Sequence, residues 1–166
     1  MNIFRTAKKE SGITLTELLI TVSIVGILAV ALGFSFQGWM GNYRIESELK
    51  QIYADIMDVR TRAMTQNRMH FIIINSGNYA VYEDTNDNNT ANPGAGDTLI
   101  KTTTLQYNAG WTGTITFNTK GLTTSSAAIS IPITLPSGAS PDFDCILVYQ
   151  SRVAMGKMSG GVCVYK

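Results

Sequence analysis

A single carboxylate, Glu17, lies near the start of the long and predominantly apolar stretch at residues 13–40. A charged side chain inside a transmembrane helix costs roughly 2.5–3.5 kcal/mol on membrane-insertion scales. Acidic groups that are kept in such segments usually have a partner. The position of Glu17 therefore predicts a helix that is built for assembly within a membrane and not for anchoring alone.

A second set of candidate ligands lies in the polar loop 84–97. Asp84, Asn86 and Asn88 carry side-chain oxygens at alternate positions, as at the opening of a calcium-binding loop. The pattern then fails, because Asn89 stands where glycine is expected and Ala95 where the bidentate glutamate should be. We predict no metal site and no cofactor. The expected structure is a flexible Asx-rich turn, and calcium binding by the three oxygen-bearing residues is the alternative.

Side chains for nucleophilic or acid–base catalysis are scarce. The one histidine, His70, begins a hydrophobic segment and is predicted to be a structural or edge-strand residue. Asp142 and Asp144 lie in a turn-like stretch and are predicted to be solvated loop carboxylates rather than an acid–base pair. Cys145 and Cys163 are the only cysteines. Outside the cytoplasm a disulfide between them is expected, with two buried thiols as the alternative. A disulfide would leave no free thiol as a nucleophile, so the protein is not expected to be an enzyme.

The elements that position these residues follow from the apolar pattern. About 20 apolar residues cross a bilayer core, so residues 13–40 are long enough for a transmembrane segment. At residues 41–66 apolar side chains recur every three or four positions, which predicts an amphipathic helix. Its buried face would consist of Ile45, Leu49, Ile52, Ile56, Val59 and Ala63. No proline interrupts residues 13–66, so one long helix is predicted.

After residue 66 the chain changes to short segments that are rich in β-branched residues and separated by turn residues. Strands are predicted at 69–75, 78–83, 98–107, 114–117, 127–135, 145–149 and 162–165. The fold class is therefore α+β: a long N-terminal helix packs on an antiparallel sheet or small β-sandwich, which forms a head at residues 67–166. The net charge of +1 gives no global attraction for nucleic acid or acidic partners.

The N-terminal segment resembles the leader and first helix of type IV pilins and type II secretion pseudopilins. Members of this superfamily end a basic leader in glycine, begin the mature chain with an apolar residue, often Phe, and carry Glu at its fifth position. Here Gly12 ends the leader 1–12, Ile13 begins the mature chain, and Glu17 is its fifth residue. The remainder is similar to the GspH/FimT branch of minor pseudopilins.

This resemblance implies a route of processing and assembly. Prepilin peptidase would cut after Gly12 and methylate the Ile13 amine, leaving a single-pass protein in the bacterial inner membrane with its head in the periplasm. The Glu17 carboxylate would pair with the Ile13 amine of an adjacent subunit, because each charge alone is costly in lipid. The assembly platform would then pack the helix against other major and minor subunits. The implied role is a minor subunit, at or near the tip, of a type II secretion pseudopilus or type IV pilus.

A related alternative is a FimT-like pilin that aids DNA uptake. Such proteins use a basic C-terminal patch with closely spaced arginines. Here Arg152, Lys157 and Lys166 are the only cations of the C-terminal region, and paired arginines are absent. Phosphate contacts supply most nonspecific affinity, so DNA binding is not expected.

An unrelated alternative is a Sec-exported binding module with a β-sandwich head. The basic residues of the leader and the small residues at 29–31 would then form a signal peptide and its cleavage site. Glu17 argues against this alternative, because a discarded hydrophobic region has no use for a carboxylate.

Overall fold

The computed structural model describes residues 12–166, except for the side chains of residues 31–38. Within this range the chain forms one helix and eight strands. They are α1 (Leu15–Thr65), β1 (His70–Ile74), β2 (Asn78–Glu83), β3 (Thr98–Thr104), β4 (Gly113–Phe117), β5 (Ile129–Pro132), β6 (Cys145–Val148), β7 (Val153–Ser159) and β8 (Val162–Tyr165). The chain divides into two compact units, Met1–Trp39 and Met40–Lys166, and α1 contributes to both.

The second unit contains two four-stranded antiparallel sheets. The strand order is β3-β2-β1-β4 in the first sheet and β5-β6-β7-β8 in the second. His70 on β1 is in register with Glu83 on β2 and with Phe117 on β4. In the second sheet Gly156 on β7 lies between Cys145 and Tyr165. The fold is therefore the predicted α+β arrangement of a long N-terminal helix and antiparallel sheets, as in type IV pilin-like proteins.

One hydrophobic core joins the second half of α1 to both sheets. The helix contributes the six predicted apolar residues, each at most 1% exposed: Ile45, Leu49, Ile52, Ile56, Val59 and Ala63. Alternate residues of five strands face them: Ile72, Ile74, Tyr79, Val81, Ile115, Phe117, Ile131, Ile146 and Val148. The spacing of 3.6 on the helix and 2 on the strands brings these side chains to a common interior.

A smaller apolar cluster lies on the opposite face of the second sheet. Cys145, Leu147 and Cys163 are buried there, with Tyr149 and Met158 packed against them. Strand alternation explains this second cluster, because successive β6 side chains point to opposite faces of the sheet.

Strand β7 was not predicted from the sequence. Its residues, VAMGKMS, contain a glycine and no run of β-branched side chains. Pairing with β6 on one side and β8 on the other makes this segment a strand. Tertiary context therefore overrides a low intrinsic strand propensity.

Among the residues with a described placement, no helical stretch combines the length and apolarity that a membrane crossing requires.

Candidate assembly segment

The helix α1 begins with a capped first turn. The Oγ1 atom of Thr14 accepts a hydrogen bond from the Glu17 N–H at 3.3 Å, and Leu18 N donates to the Thr14 carbonyl at 3.1 Å. Thr14 is therefore the N-cap, and Glu17 is the third helical residue of a Thr-x-x-Glu capping sequence. A carboxylate in this turn is also favoured by the helix dipole. The Thr-x-x-Glu pattern of this cap can be recognised in the sequence, but the cap was not predicted.

Two of the sequence-predicted site residues, Gly12 and Ile13, immediately precede this cap, and both are exposed. The rest of the leader lies outside the described residues. Ile13 thus lies just before the N-cap and Glu17 in the first turn of α1, and both side chains are exposed.

The helix that follows exposes apolar side chains on every side. Every residue from 12 to 30 is exposed. Its large apolar members are 52–80% exposed: Ile13, Leu15, Leu18, Leu19, Ile20, Val22, Ile24, Val25, Ile27, Leu28 and Val30. A helix that is apolar all round needs lipid or other protein around it.

Two hydroxyl groups on this helix are satisfied by carbonyls of the preceding turn. The hydroxyl of Thr21 donates to the Leu18 carbonyl at 2.9 Å, and the hydroxyl of Ser23 donates to the Leu19 carbonyl at 2.8 Å. Such bonds to the preceding turn hide the hydroxyls from an apolar environment. Glu17 is thus the residue of this segment whose side chain most needs an external partner.

Carboxylates and one amide attach the second half of α1 to two loops of the head. Glu48 accepts hydrogen bonds from the backbone N–H groups of 106–107 at 2.9 and 3.0 Å. Glu46 accepts from Asp142 N at 2.7 Å, and Asn42 accepts from Ser140 N at 3.0 Å. Charged acceptors make the stronger class of hydrogen bond. The loops therefore have fixed positions against the helix.

A further polar contact joins the helix to the first sheet. The Tyr79 ring is buried, and its hydroxyl donates a hydrogen bond to Asp55. The Nζ atom of Lys101 lies 2.7 Å from the same carboxylate. Burial, and then the hydrogen bond to Asp55, raises the pKa of Tyr79 above its ordinary value.

This contact predicts a loss of stability at high pH. Because the folded-state pKa of Tyr79 is raised, its stabilising effect is complete below about pH 10, the ordinary tyrosine pKa, and falls as pH rises above that value. We expect Tyr79→Phe to remove part of the decline in thermal stability above pH 10. Thermal unfolding from pH 8 to 11 measures the effect. An unchanged alkaline decline in Tyr79→Phe would contradict the assignment.

The predicted disulfide is present between Cys145 and Cys163. The prediction of solvated carboxylates beside it was wrong for Asp144, which is 3% exposed. Its Oδ1 atom accepts a hydrogen bond from Met158 N at 2.6 Å, which ties the start of β6 to β7. Asp142 is exposed, and the hydrogen bond from Lys166 holds its pKa below the usual value.

His70 is fully buried, so of the two predicted possibilities, a structural or an edge-strand residue, the structural one is confirmed. β1 pairs on both sides, with β2 and β4. The Nδ1 atom of His70 lies 3.1 Å from the Arg68 carbonyl oxygen. The ring is therefore buried within the head.

In the loop 84–97 the candidate calcium ligands bind backbone instead. Asp84 is buried, and its two oxygens accept hydrogen bonds from Asn88 N at 3.2 Å and Asn89 N at 2.8 Å. The side-chain oxygens of Asn86 and Asn88 accept from backbone N–H groups two residues further on. These bonds define Asx turns. Among the described residues no group of three His, Cys, Asp or Glu side chains could hold a metal ion.

We expect calcium to leave the protein unchanged. The oxygens of Asp84 are already used by backbone donors, so binding would require the turn to open. Thermal unfolding with and without millimolar CaCl₂ tests this, with MgCl₂ as the ionic-strength control. A rise in Tm that is specific to calcium and lost in Asp84→Asn would contradict the expectation.

The C-terminal cations considered for DNA binding make contacts within the head. Arg152 lies over the rings of Tyr149 and Tyr165, 4.5 and 5.7 Å from their centroids. Lys157 donates to the Pro141 carbonyl at 2.6 Å, and Lys166 pairs with Asp142. These side chains thus make intramolecular contacts.

Residues 7–33 match the family model of the prokaryotic N-terminal methylation motif. The matched segment includes Gly12, Ile13 and Glu17. It supports membership of the type IV pilin and pseudopilin family, as a precursor that prepilin peptidase processes and that assembles with other pilins. Neither a curated protein nor a solved structure matches the chain significantly.

Proposed function

We propose that this protein is a minor structural subunit, of the GspH/FimT type, of a type II secretion pseudopilus or a type IV pilus. It is cut after Gly12 and methylated at Ile13. It resides in the inner membrane as a single-pass protein with a periplasmic head, and then assembles at or near the filament tip. One observation carries this proposal: within the methylation motif, an apolar helix exposed on all sides holds one carboxylate, Glu17, in its first turn.

The role of Glu17 follows from the energetics of charge in lipid. A lone carboxylate in the apolar region costs roughly 2.5–3.5 kcal/mol. Cleavage after Gly12 creates an amine at Ile13, and pairing this amine with the Glu17 carboxylate of an adjacent subunit reduces the cost of both charges. Assembly then removes the charge penalty and covers the apolar side chains with neighbouring helices.

The head contributes structure rather than catalysis in this proposal. Its cysteines form a disulfide, its histidine is buried in a central strand, and Asp144 is used by a backbone donor. The hydrogen bonds of Glu46 and Glu48 hold the loops 105–107 and 140–142 on the helix. A head of this kind presents fixed loops to neighbouring subunits.

The N-terminal mass of the protein tests the processing step. Full-length protein is produced with and without prepilin peptidase and analysed by intact mass and N-terminal fragmentation. We expect a chain that begins with methylated Ile13 only when the peptidase is present. A chain that begins after Ala31 would support the Sec-exported module, and a leader retained in the presence of the peptidase would contradict the proposal.

A further inference from the structure

Strand β8 has few side-chain contacts with the rest of the head. Of its four residues only Cys163 is buried, whereas Val162, Val164 and Tyr165 are 64, 51 and 62% exposed. The main core, as formed by the described residues, contains no residue of β8. The strand is therefore held by its backbone pairing with β7, by its disulfide and by a few contacts near the C-terminus.

The disulfide reaches β8 by crossing β7. Cys145 is on β6 and Cys163 is on β8, and β7 lies between these strands. Two strand spacings amount to about 9.5 Å, but the two cysteine Cα atoms are only 6.0 Å apart. The sheet is therefore strongly curved at β7. The disulfide passes close to Gly156, which has no side chain: a Cβ there would lie 3.0 Å from Cys163 Sγ.

The contacts of β6 and β7 with the main core do not involve β8. Ile146 and Val148 of β6 belong to the main core, and Val153 and Met155 of β7 pack against it. Loss of β8 would uncover the small cluster around Leu147 on the outer face, whereas the main core of the described residues contains no β8 residue. The attachment of β8 and the folding of the remaining head therefore rest on different contacts.

We propose that the Cys145–Cys163 disulfide is the contact that holds β8 on the head and that its reduction releases this strand. A dithiol reductant transfers two electrons and two protons to the Cys145–Cys163 bond: the S–S bond breaks, two thiols form, and the reductant is oxidised to its own disulfide. The disulfide closes a loop between two cysteines that are 18 positions apart in the sequence. Reduction opens this loop, and β8 detaches. The core of α1 and β1–β7 stays folded, and β7 becomes an open edge that can pair with another strand.

Hydrogen exchange of the full-length protein in detergent micelles tests whether the disulfide holds β8. After reduction with dithiothreitol, we expect amides of 162–165 to exchange about a hundredfold faster, as the loop-closure model predicts. Amides of β1 and β6 should keep their protection. Thiol alkylation and intact mass verify that the bond is reduced.

Cysteine variants distinguish loss of the disulfide from other effects of dithiothreitol. The double variant Cys145→Ser/Cys163→Ser should show the fast exchange of 162–165 without reductant and no further change with it. Two results would overturn the proposal. In one, β8 stays protected in fully reduced protein; in the other, β1 and β6 lose protection together with β8, which would mean that the disulfide holds the whole head.

Discussion

Glu17→Gln is expected to lower incorporation of the protein into filaments by at least about tenfold while cleavage after Gly12 continues. Glutamine has nearly the same size but no charge, so it cannot form an ion pair with the amine of an adjacent Ile13. A tenfold effect corresponds to about 1.4 kcal/mol, which is less than the roughly 2.5–3.5 kcal/mol for a charge at the centre of a transmembrane helix because Glu17 lies in the first turn. Incorporation is measured as the ratio of variant to wild-type protein in sheared filaments or in the crosslinked tip complex.

Two matched variants separate charge pairing from helix capping. Glu17→Asp keeps the charge and should retain much of the incorporation. Thr14→Ala keeps Glu17 but removes the hydroxyl that accepts its N–H, at a cost of about 1 kcal/mol to the helix start. If Thr14→Ala reduced incorporation as strongly as Glu17→Gln, the first turn would matter through its cap, and the pairing role would be wrong.

Gly156→Ala is expected to destabilise the head by about 3 kcal/mol or more. An added Cβ would lie 2.3 Å from the carbonyl oxygen of Val164 and 2.9 Å from its carbonyl carbon, which are backbone atoms of the adjacent strand. Backbone in a paired strand cannot give way as a flexible side chain does, so β8 must shift and the disulfide must move with it. For a chain of this size we expect Tm to fall by roughly 6–12 °C.

Gly77→Ala provides the control for this substitution. A Cβ at Gly77 meets only Asn108 Oδ1, at 3.9 Å, which is an ordinary contact. Its stability should stay within about 0.5 kcal/mol of wild type. Thermal unfolding of both variants in the same detergent, with the disulfide verified by mass, gives the comparison. Equal Tm values for Gly156→Ala and Gly77→Ala would contradict the close approach of the Val164 backbone to Gly156.

Local patterns predicted most of the elements. The spacing of Ile45, Leu49 and Ile52 indicated the buried face of α1, and turn residues separated the strands near their observed limits. The bounds of β2 and β8 were predicted correctly. These predictions succeeded because apolar periodicity reflects which side of an element is buried.

The failures share a cause, which is that burial depends on distant residues. β7 has no strand pattern of its own and is a strand because β6 and β8 pair with it. Asp144 is charged and follows a turn, which indicated exposure, yet it is buried because a backbone donor from β7 satisfies it. For His70 both a structural and an edge-strand position were predicted, because the strand order of the sheet cannot be read from one strand.

By itself, the sequence determined the assembly segment, because a basic leader, a glycine, an apolar run and one acid are properties of consecutive residues. It also determined the amphipathic face of α1. Only the tertiary structure decided which strands are central and which surface Glu46 and Glu48 bind. It also decided that the disulfide crosses β7 at Gly156. These features depend on strand order and curvature, which arise when segments far apart in the chain pack around one core.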